Sequence, residues 1–475
     1  MPSAGDLHNP GLHDPQHGAQ HDASVGRSPF RPPAADLLRV GSRRWFLQTG
    51  LAGVAGLSTA SLLQAQAQAT TAATGASKRA VLLFWLSGGP SHLDMWDPKP
   101  TAPSEIRGPF GAISTRVPGI EVCEHLPKTA SIMDKLTVLR SVDCSASNHT
   151  PITMQAGNPL ARRTDDGRDG GGYPSMGSIV ARFRGPNDPA MPAFVGLAES
   201  WRADVWEAGH LGSQYAPVNG AELAGRFAMP KGVAVPRLAD RDRLRREFET
   251  LRRGFDQTVT LARTDRYHQQ AFEMVSSGKV ERAFRVDDEP AELREAYGRH
   301  SLGEKALLAR RLVEAGVTFI VVSAHWGYFD HHGDEVRWGG IEKGLKPILP
   351  VLDQTTHTLI TDLEQRGLLD DTLVLMLGEF GRDPVMTRTA GRGHWTNVMS
   401  MLVAGGGFAH GQVIGSTDRT GHAIKERPIT PSDLAATVYD YLGVDLESQW
   451  LSPQGRPTPV VTEGGRPIAE LRRAV

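Results

Sequence analysis

Cysteine is scarce: the 475-residue chain has only two, Cys123 and Cys144. One disulfide is possible between them in an oxidising compartment, but not a disulfide framework or a cysteine-built zinc knuckle. Net charge is scarce too. Lysine and arginine total 52 against 53 aspartates and glutamates, leaving -1, which argues against a nucleic-acid or polyanion binder working through bulk charge. Long apolar runs are missing. The best candidate, Leu51 to Leu63, is too short and too rich in glycine and alanine for a comfortable membrane span. Glycine (52) and proline (32) are plentiful, which points to many turns and long loops, and 40% hydrophobic content permits a large core.

The first 41 residues differ from the rest. They are rich in His, Pro, Gly, Ala and Asp, with few large apolar groups and no periodicity, so they are expected to be disordered. His8, His13, His17 and His21 could capture a metal, but their spacing is irregular. Residues 42–69 then read as an export signal. Ser42-Arg43-Arg44-Trp45-Phe46-Leu47 precedes the short apolar stretch, and Ala65-Gln66-Ala67-Gln68-Ala69 offers a small-x-small cleavage site. The paired arginines specify the twin-arginine route, with its translocase as partner during export and a periplasmic or extracellular destination. The mature chain would begin near Thr70, and an uncleaved anchor is the alternative.

From residue 78 to 475 the pattern is that of one α/β domain. Val81 to Leu86, Leu136 to Val142, Val317 to Ala324, Thr372 to Leu377 and Met399 to Ala404 are short apolar runs of the kind that form buried strands. Helical patterns fall at Leu126 to Lys135, Leu302 to Ala315, Ile348 to Arg366 and Pro431 to Leu442, the last with Thr430 as N-cap and Gly443 as its stop. Such alternation implies right-handed crossovers and a mainly parallel central sheet with helices on both faces. Residues 162–286 are less regular and read as an insertion or cap, including a charged, solvated helix over Arg237 to Arg253.

Potential metal ligands recur where strands end. His92, Asp94 and Asp97 follow the first strand; Asp330, His331 and His332 follow Phe319 to Ala324; Glu379 follows Thr372 to Leu377. His394 and His149 lie in loops. Open α/β sheets place their active sites at such tips. Asp with His suits zinc, manganese or iron, whereas carboxylates alone suit calcium or magnesium. For any single residue, a turn or helix cap is an equally good reading. Arg382, three residues after Glu379, could bind an anionic ester or hold the loop in a salt bridge.

With these residues in view, the chain resembles the alkaline phosphatase superfamily, which includes the sulfatases. Thr358 to Val374 is similar to the segment preceding a sulfatase's third metal-binding strand, and Leu126 to Gly157 to its helix–strand–nucleophile–helix region. More closely, Ala80 to Gly443 looks like a sulfatase-like family of twin-arginine-exported bacterial proteins, abundant in planctomycetes and known as a domain of unknown function. The shared motifs are Leu86-Ser87-Gly88-Gly89-Pro90-Ser91-His92-Leu93-Asp94, Asp330-His331-His332-Gly333, Gly378-Glu379-Phe380-Gly381-Arg382 and Gly391-Arg392-Gly393-His394-Trp395, with Ala404-Gly405-Gly406-Gly407 and Gly415-Ser416-Thr417-Asp418.

The resemblance implies an alkaline phosphatase/sulfatase-like fold and a divalent metal site, zinc or calcium, with one or two ions. Asp94, Asp330, His332, Glu379 and His394 would be its ligands, and Phe380 stands where the superfamily puts His or Asn. The nucleophile would lie near Ser147, beside His149 and Thr150. Cys144-Ser145-Ala146-Ser147-Asn148 approaches the formylglycine pattern but has Asn148 where Arg is required. The activity implied is hydrolysis of a phosphate or sulfate ester of a small molecule or saccharide. The alternative is a binding or envelope protein that keeps the fold with a degenerate metal site.

Overall fold

A computed structural model describes residues 78–162, 170–221 and 272–473. The expected disordered segment, the export signal and the charged helix over Arg237 to Arg253 lie outside the described residues. Eight strands form the central sheet: β1 (Ala80–Trp85), β2 (Leu136–Val142), β3 (Phe194–Leu197), β4 (Val218–Asn219), β5 (Phe319–Ser323), β6 (Thr372–Leu377), β7 (Met399–Gly405) and β8 (Gln412–Ile414). Their order is β8-β2-β7-β6-β1-β5-β3-β4. Every neighbouring pair is parallel except those of β7, which runs antiparallel to β2 and β6. The α/β architecture with a mainly parallel sheet is therefore as expected. The edge strands β3 and β4 come from residues 162–286 and extend the sheet beyond β5.

The strands are unbroken apolar runs because both faces are covered. Along β1, Leu82 and Phe84 pack with Leu307 and Leu312 of α3 (Ser301–Ala315) and Leu352 and Leu359 of α4 (Lys346–Gln365). Val81, Leu83 and Trp85 point the other way. They pack with Ile179 and Val180 of α2 (Met176–Phe183), with Leu434 and Val438 of α5 (Pro431–Leu442), and with Met154 of the short α1 (Ile152–Ala156). Each such Leu, Val or Ile contributes about 1.5–3 kcal/mol by leaving water. Glycines in left-handed conformation end α3 and α5, at Gly316 (φ 107°) and Gly443 (φ 74°), and let the chain turn back toward the sheet. The register aligns the parallel strand ends: Trp85 lies opposite both Ser323 and Leu377. One edge of the sheet thus collects the loops after β1, β5 and β6.

Candidate metal centre

Five of the expected residues, Asp330, His332, His394, His149 and Glu379, meet at this edge. Asp330 Oδ1 lies 3.0 Å from His332 Nε2 and 3.4 Å from His394 Nε2, and the two imidazole nitrogens are 2.9 Å apart. Ligands about 2.0–2.1 Å from a tetrahedral zinc sit about 3.3 Å from one another, so these edges fit one ion with an open fourth position. His149 completes the group. Its Nε2 is 3.5 Å from Asp330 Oδ2 without hydrogen-bond geometry, and its Nδ1 is 2.7 Å from Glu379 Oε1. His149, Asp330 and His394 also form a possible ligand set, with ligand atoms all within 4.8 Å. The His332 and His394 side chains are 35% and 38% exposed, so the centre opens to solvent.

The fold explains this convergence. Gly88 and Gly89, at φ 110° and 85°, form the turn after β1. A Cβ at Gly88 would stand 2.5 Å from the Asp330 amide nitrogen, and one at Gly89 would stand 2.6 Å from the Phe380 ring, so bare backbone is needed for both loops to close. The Gly88 amide donates to Glu379 Oε1 at 2.9 Å. A hairpin, Gly381–Met386 with Arg392–Trp395, pairs Arg382 opposite His394 and carries both to the centre.

Arg382 is buried and unable to reach a substrate. Its Nε donates to the Gly89 carbonyl at 2.9 Å, and its remaining donors go to the carbonyls of Gly88, Phe329 and Arg392 and to Asp330 Oδ1. Of the two roles expected of it, the structure supports the salt bridge, because every donor direction is already used. Asp94, expected as a ligand, is engaged elsewhere. Arg392 Nε and Nη2 grip its two oxygens at 2.6 and 3.1 Å, and the Ser91 hydroxyl donates to it at 2.5 Å. Sequence reasoning missed Arg392 as this partner; its place in the shared Gly391-Arg392-Gly393-His394-Trp395 motif was the available signal.

The hydroxyls near the centre are poorly disposed to attack an ester. Ser147 is buried, with its Oγ 3.4 Å from the Asn148 carbonyl, and the Thr150 hydroxyl donates to Asn148 Oδ1 at 2.7 Å. Cys144 is fully buried, and burial pushes its thiol up to about 12. Phe380 is also buried and packs at a tilt against the His149 and His394 rings.

The electrostatics centre on Asp330 and His149. Burial works against the Asp330 charge, yet His149, His394 and Arg382 together hold its carboxyl far below the usual carboxylate range. Burial likewise works against protonated His149, but the Asp330 and Glu379 carboxylates beside it outweigh this and raise its pKa to about 9. Burial and Arg382 lower the pKa of His332, which favours the neutral imidazole that metal binding requires. His331, beside it in sequence, turns away: its Nδ1 is 3.0 Å from the Trp338 carbonyl, and burial brings its pKa to about 4.

No curated protein matches the chain. Among solved structures, it is similar to Ps i-CgsB at 10% identity, over 78% of this chain and 73% of that one, with a TM-score of 0.38. It is similar to the PsFucS1 sulfatase from Pseudoalteromonas sp. at 10% identity, over 79% and 70%, with a TM-score of 0.34. A phosphonate monoester hydrolase of Agrobacterium radiobacter is 13% identical over 83% and 78%, with a TM-score of 0.34. A family model matches residues 77–472, which include every strand of the sheet and every residue of the centre. The chain belongs to that family, described as protein of unknown function (DUF1501).

Proposed function

We propose that this protein is an exported, metal-dependent hydrolase of phosphate or sulfate esters. The observation that carries the reading is the compact Asp330–His332–His394 triangle, open to solvent and backed by His149 on Glu379. Its two imidazoles and one carboxylate suit zinc. When bound, a divalent cation would polarise an ester oxygen and neutralise charge developing on it. Asp330, His332 and His394 would hold that cation. Arg382 fixes Asp330 from behind and compensates its charge. His149, kept protonated by two carboxylates, is positioned to give a proton to a leaving oxygen, and Glu379 orients its ring through Nδ1. Among the described residues, the expected hydroxyls of Ser147 and Thr150 are both turned to Asn148, so water is the better nucleophile in this reading. The substrate would be an ester of a small molecule or saccharide.

The sequence before residue 78 supports export by the twin-arginine route. Among the described residues, no helix is long and apolar enough to cross a membrane.

The test pairs metal content with hydrolysis of aryl phosphate and aryl sulfate by the purified protein. We expect about one zinc per chain and turnover of one ester class. Asp330→Asn and His394→Ala should each lower both metal content and kcat/KM by more than about a hundredfold, since losing even an outer partner of a metal ligand costs 10–100-fold. Absence of metal together with absence of turnover on both esters would overturn the enzyme reading. It would favour a binding protein with a degenerate centre, the reading that the buried Ser147 and Phe380 suit best.

A further inference from the structure

The hairpin that delivers His394 is out of step with itself. Arg392 pairs with Met386 and His394 with Arg382, so three residues, Asp383, Pro384 and Val385, stand opposite Gly393 alone. In an even antiparallel ladder running on from Arg392 and Met386, His394 would face Pro384. The bulge sets it opposite Arg382 instead, two residues further along, and two residues of strand span about 7 Å. That offset matters to the centre. Arg382 is bound to Asp330 Oδ1, and its Nη1 lies 3.4 Å from His332 Nε2. Opposite Arg382, His394 comes to 3.4 Å from Asp330 and 2.9 Å from His332.

Bulged residues lose their ladder partners, so other groups must hold them. The Val385 amide turns back to Asp383 Oδ1 at 2.9 Å, but the Asp383 and Pro384 carbonyls are met from the opposite strand. Arg392 Nη1 donates to the first at 3.3 Å and also to the second. Its Nη2 reaches the Ile106 carbonyl at 2.8 Å, while Nε and Nη2 grip Asp94. Both charged side chains are 0% exposed, and Ser91 holds Asp94 in turn. A Cβ at Gly108 would stand 2.8 Å from Asp94 Oδ1 and 2.9 Å from Arg392 Nη2, so bare backbone closes over the pair. Asp94, expected to hold a metal ion, faces a guanidinium in place of that cation.

We propose that Arg392, anchored on Asp94, is a positioning residue for His394: it fixes the bulge at residues 383–385 and so sets the register that brings the imidazole to Asp330 and His332. The consequence for metal binding rests on the reading of that triangle as a metal centre; the placement of His394 does not.

Two variants test this. The double replacement Asp94→Leu with Arg392→Met removes both buried charges and is the one expected to keep the fold. Arg392→Lys keeps the charge but lacks the fork that reaches a carboxylate and several carbonyls together. Cobalt chloride, added to the metal-free full chain, reports the ligand set through its visible bands. We expect the intense bands of a four-coordinate ion in the wild type. Each variant should bind cobalt at least tenfold more weakly and lose band intensity. Adding His394→Ala to the double variant should bring no further loss, because both changes act on one ligand. A crystal structure of the metal-free double variant should show His394 moved away from Arg382, by about 7 Å for a full two-residue slip. His394 still opposite Arg382 in that variant overturns the proposal, and so does a wild-type cobalt spectrum in the folded variants. A displaced His394 upholds it even where the wild type binds no cobalt, a result that would sink the metal reading instead.

Discussion

At the scale of single residues, the most exacting feature is the fully buried pair of Asp94 and Arg392. The guanidinium also donates to the carbonyls of Ile106 and Pro384, so it ties the loop after β1 to the hairpin. Removing one partner of a buried pair strands the other charge. Arg392→Met should therefore lower the unfolding free energy in urea by about 3–5 kcal/mol, and the double replacement Asp94→Leu with Arg392→Met should recover most of it. His149 gives a second prediction. Its folded pKa, about 9, lies above its ordinary value of 6.5. Its ion pairs therefore stabilise the metal-free protein fully below pH 6.5, and that contribution is lost as pH rises through about 9. The pH-dependent decline in urea midpoint between these values should be reduced in His149→Gln.

At the scale of elements, α5 is the best specified. Thr430 and Asp433 form a reciprocal capping box, with the Asp433 amide donating to the Thr430 hydroxyl at 3.1 Å and the Thr430 amide donating to Asp433 at 2.9 Å. Thr430→Ala should cost about 1 kcal/mol in denaturant melts. It should leave metal content unchanged, because α5 packs under the sheet face and supplies no ligand. This helix was legible because caps are local: Pro431 to Leu442 is both the expected and the observed span. The strand Thr372–Leu377 was legible for a similar reason, as a continuous apolar run between a glycine stop and a polar loop. The hairpin Gly381–Met386 with Arg392–Trp395 was not. Its strands mix Arg, Asp, Pro and Gly, with no two-residue alternation to reveal them, and their pairing rests on tertiary closure around Asp330. The direction of β7 was also hidden, since apolar content reports burial and not orientation. Of the centre, the imidazole and carboxylate types at strand ends could be read from sequence. That Arg392 holds Asp94 depends on a contact between distant segments.

At the scale of the whole molecule, the two thiols lie in separate halves of the core. Cys123 packs with the α3–α4 side and Cys144 with the α2–α5 side, and both are free. The single disulfide that composition allowed is therefore not made. Burial pushes each thiol up to about 12, so neither is a ready thiolate. An aromatic disulfide reagent should find no reactive thiol in the native protein and two after denaturation, and reducing agent should leave the melting temperature unchanged. The sheet order has a consequence for biogenesis. Central strand β1 is made first, yet Val81 pairs with Phe319 and Leu373, which emerge far later. At about 5–20 residues per second, the ribosome needs on the order of ten to fifty seconds to deliver even β5. Throughout that interval Ala80–Trp85, an entirely apolar segment, has neither edge filled. The nascent chain thus passes through a long sticky stage, in which a holding chaperone would matter more than any catalyst of folding.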